Sequence, residues 1–293
     1  MDLHDGKARR AAWRLVHAIE RLLGPPAARR AAHAICASED VHRVALRVSP
    51  RVAGENPRLT KIPLAWATTV DVRRQGLKLR LDLRDNLQAI LYYAGRYEPA
   101  VHQFLRAELR PGDVVLDVGA NIGVHALAAA QRLKQLGGGR AIAFEPAADS
   151  VEKLQAAAKR NHLEVEIVPA ALGERAEYAG LHADNRYDIK DAGVRSLYGD
   201  GETVQQVEVI RLDEWAQDLD RLDIVKLDIE GSELAALSGA ARTIERLQPR
   251  ALLVEDKRSE SSARLHALLH ELNYRPTGEV LDHNAVFRPV VTG

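Results

Sequence analysis

The chain has few residues of several informative types, and each scarcity excludes a class of protein. Cys36 is the one cysteine among 293 residues, which rules out an intramolecular disulfide and a cysteine-based metal cluster. Aromatic residues make up 4% of the chain, so the core must consist mainly of aliphatic side chains and alanine. Basic and acidic residues balance at 41 each, and the lack of a basic excess argues against a nucleic-acid partner.

Long hydrophobic runs are also missing from the sequence. No apolar stretch reaches the length of a membrane span, so we expect no membrane partner. Arg14 and Glu20 interrupt the apolar positions near the N-terminus, which excludes a signal peptide there and favours a cytoplasmic location. Apolar residues still make up 46% of the chain, which is enough for a sizeable core.

The first part of the chain differs in pattern from the rest. Residues 8–23 carry apolar side chains at helical spacing, and residues 27–37 predict a second, alanine-rich helix. We therefore predict an N-terminal helical extension over residues 1–65, which either covers the substrate or forms a homodimer. Residues 66–293 form the main domain, and alternating polar and apolar residues predict a β-hairpin over 66–84.

From Glu98 onward, predicted strands alternate with helices of ten to fifteen residues. The strands are expected at 114–118, 140–144, 165–169, 223–227 and 251–254. This alternation predicts an α/β fold with a parallel, doubly wound sheet. Residues 174–206 interrupt it and form either short antiparallel strands or a lid. Two closing strands, 274–281 and 285–291, are joined by a short turn and predict an antiparallel last strand.

A glycine turn follows the first of these strands. The spacing from Asp117 to Gly123 is D-x-G-x-N-x-G, which differs from the dinucleotide G-x-G-x-x-G and lacks the Lys and Ser/Thr of a phosphate loop. Gly119 and Gly123 would let a nucleoside approach the backbone closely, and the Asp117 carboxylate could accept from a ligand ammonium. The alternative is a tight strand-to-helix turn that binds nothing.

Carboxylates end two further strands. Glu145 ends the strand after the glycine turn, where it could accept two hydrogen bonds from ribose hydroxyls or simply begin a helix. Asp228, Glu230 and Glu233 follow the strand at 223–227. Such carboxylates can serve as general bases, as ligands of a divalent metal, or as helix caps. We favour a cofactor or base role for Asp228 and Glu230.

Three motifs give the chain a family resemblance. The segments 117–123, 144–146 and 226–233 look like those of the FkbM methyltransferases. Tyr97-Glu98, residues 170–173, and Gly239, Pro249 and Glu255 extend the similarity over roughly residues 85–290. The resemblance implies a class I methyltransferase (Rossmann-like) fold and S-adenosylmethionine as the methyl donor, with S-adenosylhomocysteine as its product.

The motifs and the resemblance together assign roles to individual residues. The predicted catalytic residues are Asp228 and Glu230. The predicted cofactor-binding residues are Glu98, Asp117, Gly119, Ala120, Asn121, Gly123, Glu145, Pro146, Ala171 and Asp228. The predicted substrate residues are Tyr97, His182, Tyr187 and Glu255. No metal is expected, with Mg²⁺ as an option at Asp228, Glu230 and Glu233.

The resulting hypothesis is O-methylation of a hydroxyl on a small polar natural product or sugar. N-methylation of an amino sugar or aminocyclitol is an alternative, as is an RNA or protein methyltransferase on the same fold. A non-catalytic binding protein that kept the cofactor pocket is a further possibility. The glycine spacing and the terminal hairpin disfavour a nicotinamide dehydrogenase.

Overall fold

The structure is a computed structural model that describes residues 69–83, 85–183, 195–197, 202–256 and 260–290. The chain divides into two compact units, Met1–Tyr97 and Glu98–Gly293. The predicted helices within residues 1–65 lie outside the described residues. The substrate-covering or dimer-forming extension, and a domain boundary near residue 66, therefore remain predictions.

The first unit contains the predicted hairpin. Strands β1 (Thr69–Arg74) and β2 (Leu77–Asp82) pair in antiparallel fashion, and helix α1 (Asn86–Ala94) follows. Leucines at alternate positions of β2 are buried, as expected for a strand with one face on a core. Asp85 caps α1 by accepting from the Gln88 amide, 3.0 Å away. The hairpin prediction is confirmed.

The second unit alternates strands with helices. The helices are α2 (Pro99–Glu108), α3 (Val124–Gln135), α4 (Ala148–Asn161), α5 (Leu212–Trp215), α6 (Glu233–Ser238), α7 (Ala241–Leu247) and α8 (Glu260–Glu271). The strands are β3 (Val114–Val118), β4 (Arg140–Phe144), β5 (Glu166–Val168), β6 (Ala171–Leu172), β7 (Glu177–Ala183), β8 (Arg195–Ser196), β9 (Thr203–Ile210), β10 (Ile224–Leu227), β11 (Ala251–Glu255), β12 (Tyr274–Leu281) and β13 (Asn284–Pro289). Within the described part of the chain, no helix combines the length and apolar character needed to cross a membrane.

Strands of the main sheet lie in the order β5-β4-β3-β10-β11-β13-β12. The pairs from β5 to β11 are parallel, whereas β13 runs antiparallel to both β11 and β12. The order reverses between β3 and β10, which places the switch point at the carboxyl ends of these strands. The predicted doubly wound sheet with an antiparallel last strand is confirmed.

Hydrophobic cores lie on both faces of this sheet. Leu116 of β3 packs in a cluster with residues of α5 to α8, while its neighbour Val115 packs in a cluster with residues of α2 and α3. Successive strand residues point to opposite faces, so a strand covered by helices on both sides is apolar along most of its length. Burying a side chain such as Leu116 contributes about 2 kcal/mol, and this burial holds the strand ends in place.

The interrupting segment forms a second, smaller sheet. Its strand order is β6-β9-β7-β8, with β7 antiparallel to β8 and β9. Of the two interpretations of residues 174–206, the antiparallel strands are present. Residues 184–194 and 198–201 of this segment lie outside the described residues.

The sequence predicts that residues 231–247 are mostly helical, and the structure confirms this with two helices, α6 and α7, which are separated by Gly239 and Ala240. A Cβ atom on Gly239 would lie 1.9 Å from the carbonyl oxygen of Gly173. The chain after β6 therefore packs directly on the glycine, and this contact favours a break that helical periodicity does not reveal.

Candidate functional site

The loops that follow β3, β4 and β10 are joined at one edge of the sheet. The Gly119 amide donates to the Phe144 carbonyl at 2.9 Å, and the Asp228 amide donates to the Val118 carbonyl at 3.1 Å. Because these strands are parallel neighbours, their carboxyl ends lie side by side and bring the three loops together.

A cavity opens between these loops. Among the predicted site residues, those that line it are Gly119, Asn121, Glu145, Pro146, Ala171, Asp228 and Glu230. The loops around Asn121, Glu145 and Asp228 thus share one cavity. The predicted residues Glu98, Asp117, Ala120 and Gly123 lie outside its lining.

The two glycines of the turn pack closely against neighbouring parts of the fold. Gly119 has φ +83°, and a Cβ there would lie 1.9 Å from the Asp228 carbonyl oxygen. Gly123 has φ +84°, and its Cβ would lie 2.0 Å from Leu154 on α4. The backbone conflict makes glycine necessary at position 119, whereas at position 123 the left-handed φ favours glycine and the contact is with the end of a leucine side chain.

Asp117 is buried beneath the turn. Its Oδ2 atom accepts from the Ala126 amide at 2.9 Å, which satisfies a donor in the first turn of α3. Its Oδ1 atom has no hydrogen-bond partner among the described residues. Burial raises the pKa of the Asp117 carboxyl. The carboxylate therefore holds the start of α3, and only Oδ1 is left for the predicted contact with a ligand ammonium.

Glu145 binds the backbone of two loops. Oε2 accepts from the Asn121 amide at 2.8 Å, and Oε1 accepts from the Ala147 amide at 2.9 Å. Burial raises the pKa of Glu145 to about 7, although the two amide bonds and nearby Arg195 oppose this shift. Each oxygen keeps a further lone pair, so the side chain can hold the turn and still accept from a ligand hydroxyl.

A buried lysine connects Asp228, in the loop after β10, to Glu98. The Lys226 ammonium nitrogen Nζ lies 2.8 Å from Asp228 Oδ2 and 3.6 Å from Glu98 Oε2. His125 Nε2 lies 2.7 Å from the same Glu98 oxygen. Burial alone would raise the pKa of Glu98, but Lys226 and His125 lower it to about 2. Burial would lower the pKa of Lys226, yet Asp228, Glu98 and Asp117 raise it.

Sequence reasoning missed Lys226. The available signal was a lysine at the third position of an otherwise apolar, four-residue strand, Ile224–Leu227. A charge buried at such a position requires partners of opposite charge nearby. The adjacent Asp228 was visible in the sequence, but Glu98, which lies far away along the chain, was not a foreseeable partner.

The structure clusters a different set of carboxylates from the set that the sequence suggests for Mg²⁺. Glu233 Oε1 accepts from the amides of Ile229 and Gly231, at 3.1 and 3.2 Å. Glu233 therefore stabilises the turn before α6, and it is not part of the carboxylate cluster. Glu255 takes its place, because carboxylate oxygens of Asp228, Glu230 and Glu255 lie within 4.8 Å of one another. Asp228 is already paired with a buried ammonium, which reduces the case for a cation there.

The remaining predicted substrate residues are more scattered. His182 lies on β7 with Nδ1 3.3 Å from Thr203 Oγ1, and it does not line the cavity. Tyr97 belongs to the first unit, where its amide donates to the Gln75 side chain at 3.2 Å. Tyr187 lies outside the described residues. Their substrate roles stay predictions.

Several solved structures resemble parts of this fold. An FkbM methyltransferase from Methylobacillus flagellatus KT has 18% identity over 70% of this chain and 55% of that one, with a TM-score of 0.43. The T. thermophilus 16S rRNA N2 G1207 methyltransferase, solved with AdoMet and guanosine, has 17% identity over 76% and 50%, with a TM-score of 0.43. The Pyrococcus abyssi tRNA (uracil-54, C5)-methyltransferase, solved with S-adenosyl-L-homocysteine, has 14% identity over 77% and 45%, with a TM-score of 0.43. The chain spans about half the length of these proteins.

The family assignment comes from the sequence of the second unit. No curated protein matches the chain in sequence. A family model described as the methyltransferase FkbM domain matches residues 117–276, which is more than half of the chain. The match begins at Asp117 of the glycine turn and includes Glu145, Asp228 and Glu230. The chain therefore belongs to the FkbM methyltransferase domain family.

Proposed function

We propose that this chain transfers a methyl group from S-adenosylmethionine to a hydroxyl oxygen of a small polar natural product or sugar. The observation that supports the proposal most is the shared cavity, which Asn121, Glu145 and Asp228 line from three different loops. Glu145 lines the cavity and supplies acceptors for ribose hydroxyls. S-adenosylmethionine carries hydroxyls that match these acceptors.

The sulfonium is an activated methyl donor, so the main task of the protein is to align the acceptor oxygen, the methyl carbon and the sulfur. Holding these atoms at near-attack distance contributes several kcal/mol to lowering the barrier. A carboxylate that removes the hydroxyl proton lowers the barrier further. Asp228 and Glu230 both line the cavity, and Lys226 holds one oxygen of Asp228. We assign Glu230 as the general base and Asp228 as a cofactor contact.

An amine acceptor is the second candidate. The carboxylates of Asp228, Glu230 and Glu255 form a group of one sign, which would attract a protonated amine such as that of an amino sugar. An assay of labelled methyl transfer separates the two candidates, because neutral polyols and amino sugars can be tested as acceptors side by side.

Replacing the base tests the catalytic assignment. We expect Glu230→Gln to lower turnover by roughly 10² to 10⁴, since a neutral amide cannot accept the proton. Its affinity for S-adenosylhomocysteine should stay close to the wild-type value, as measured by calorimetry. The exposed Glu245 of α7 provides a matched control, and Glu245→Gln should keep full turnover. Full activity in Glu230→Gln would show that this residue is not the base.

The raised pKa of Glu145 predicts a pH-dependent affinity. A carboxyl with a pKa of about 7 is ionised above that pH and protonated below it, and protonation removes an acceptor. We expect the affinity for S-adenosylhomocysteine to be full near pH 8 and roughly tenfold weaker near pH 5.5. Calorimetry across this range measures the effect, and Glu145→Gln should bind weakly with little pH dependence. Equal wild-type affinity at both ends would contradict the assigned role.

A further inference from the structure

A short segment of the second sheet lines part of the candidate cofactor cavity. Arg195, Ser196 and Leu197, here called the strap, include strand β8, which pairs with β7 through Ser196↔His182 and Arg195↔Ala183. Both Arg195 and Leu197 line the cavity, together with residues from the loops after β3, β4 and β10. The strap therefore brings side chains from the small sheet to a site built on the main sheet.

Two contacts tie the strap to the main sheet unit beside the cavity. The Arg195 guanidinium donates from Nη1 and Nη2 to the two carboxylate oxygens of Asp149, at 2.5 and 3.1 Å. Asp149 lies in the first turn of α4, shortly after Glu145. The Ser196 hydroxyl donates to the Glu230 carbonyl at 3.0 Å. The strap thus joins the Glu145 wall to the loop that carries the proposed base.

Arg195 differs chemically from the rest of the lining. Among the described lining residues it is the one cation, whereas Glu145, Asp228 and Glu230 are acidic. Its guanidinium side chain is 19% exposed, and the two-pronged pairing with Asp149 fixes its plane. A guanidinium held in this way presents a flat face on which an aromatic ring can stack, and Leu197 adds apolar surface beside it.

We propose that the strap covers the nucleoside end of the bound cofactor, with Arg195 and Leu197 contacting the adenosine. This inference rests on the proposed function. Arg195 is anchored beside the wall where Glu145 and Pro146 lie, and Glu145 is the residue assigned to the ribose. The methionine end then belongs on the side of Gly119 in the turn. Arg195 is therefore a cofactor-binding residue outside the family motifs.

Two ligands locate the contact. S-adenosylhomocysteine carries a nucleoside and an amino-acid tail, whereas 5′-methylthioadenosine carries the nucleoside without the tail. We expect Arg195→Ala to weaken both ligands by roughly tenfold in calorimetric titrations. Arg140→Ala is the matched control, because Arg140 also pairs with a carboxylate, that of Glu166, but does not line the cavity.

The outcomes separate the strap from the proposed function. Equal weakening of both ligands supports the inference. Weakening of S-adenosylhomocysteine alone would place Arg195 at the carboxylate of the tail and overturn it, as would unchanged affinity for both. A wild-type chain that binds neither ligand would contradict the proposed function itself, and the strap inference with it.

A second variant distinguishes contact from mere support of the fold. Asp149→Asn keeps the guanidinium but removes the charge that orients it, so we expect an affinity between those of wild type and Arg195→Ala. A purely structural role would lower the melting temperature of the ligand-free variants and leave their dissociation constants, measured well below melting, unchanged. That result would overturn the inference.

Discussion

Gly119→Ala is expected to abolish binding of S-adenosylhomocysteine and to lower the free energy of unfolding by roughly 3 kcal/mol. The added Cβ would lie 1.9 Å from the Asp228 carbonyl oxygen and 2.9 Å from Ile229 Cγ2. Backbone on one side cannot yield as a flexible side chain would, so the loops after β3 and β10 must separate. Overpacking costs about 1–3 kcal/mol and the left-handed backbone about 1–2 kcal/mol, and the cavity between these loops loses its shape.

The chain contains a matched control for this change. Gly137 has φ +99°, close to the value at Gly119, but a Cβ there would meet nothing within 4 Å. Gly137→Ala should therefore carry the backbone penalty alone and retain full affinity. Calorimetry measures the binding, and denaturant titration measures the stability. Normal binding in Gly119→Ala would show that the close approach of the two loops does not shape the site.

Lys226→Met is expected to lower the free energy of unfolding by about 3–5 kcal/mol near pH 7, the range found when one partner of a buried ion pair is removed. The methionine fills a similar volume, but it leaves the Asp228 and Glu98 carboxylates without the ammonium between them. Turnover should fall as well, because Asp228 loses the contact that fixes one of its oxygens.

The loss of stability in Lys226→Met should depend on pH. Glu98 has a lowered pKa of about 2 in the folded chain, against an ordinary value of 4.5. Its ionised form therefore adds stability above pH 4.5, and that stability is lost as the pH falls through about 2. Removing Lys226 takes away part of the stabilisation that ionised Glu98 provides. The difference in the free energy of unfolding between wild type and Lys226→Met should therefore narrow as the pH falls below 4.5.

Lys153→Met serves as the control for loss of a lysine. Lys153 pairs with Asp149 one helical turn away, and its side chain is 31% exposed. An exposed pair of this kind contributes at most about 1 kcal/mol. A Lys226→Met variant as stable as Lys153→Met would show that the buried charges do not depend on the lysine.

The main sheet could be predicted because burial on both faces leaves a simple trace in the sequence. β3 and β4 occupy the predicted residues 114–118 and 140–144, since each is a nearly continuous apolar run, with glycines after β3 and before β4. The reversal at the end of the chain was equally visible, because the turn between β12 and β13 is too short for a parallel connection.

Contacts between distant segments could not be predicted in the same way. The break before α7 depends on Gly173, and the pairing of Lys226 with Glu98 joins two elements that are far apart in the chain. Arg195 follows a segment without regular patterning, and its partner Asp149 looks like an ordinary helix-start carboxylate. In each case the sequence supplies both residues, but only the fold brings them together.

Within the site, the motif residues take on more than one task. Glu145 was predicted to contact ribose, and in the structure its carboxylate also binds the amides of Asn121 and Ala147. Glu233 had been weighed as a metal ligand or a cap, and its bonds to Ile229 and Gly231 make it a cap. A motif does not show the backbone amides of neighbouring loops, so the sequence groups Glu233 with Asp228 and Glu230, whereas the structure groups Glu255 with them.

The most direct test of the central claim is a crystal structure of the chain grown with S-adenosylhomocysteine. The account predicts one nucleoside in the cavity between Glu145 and Asp228, with its ribose hydroxyls within hydrogen-bond distance of the Glu145 carboxylate. A nucleoside bound elsewhere on the chain, or a ribose facing away from Glu145, would contradict it.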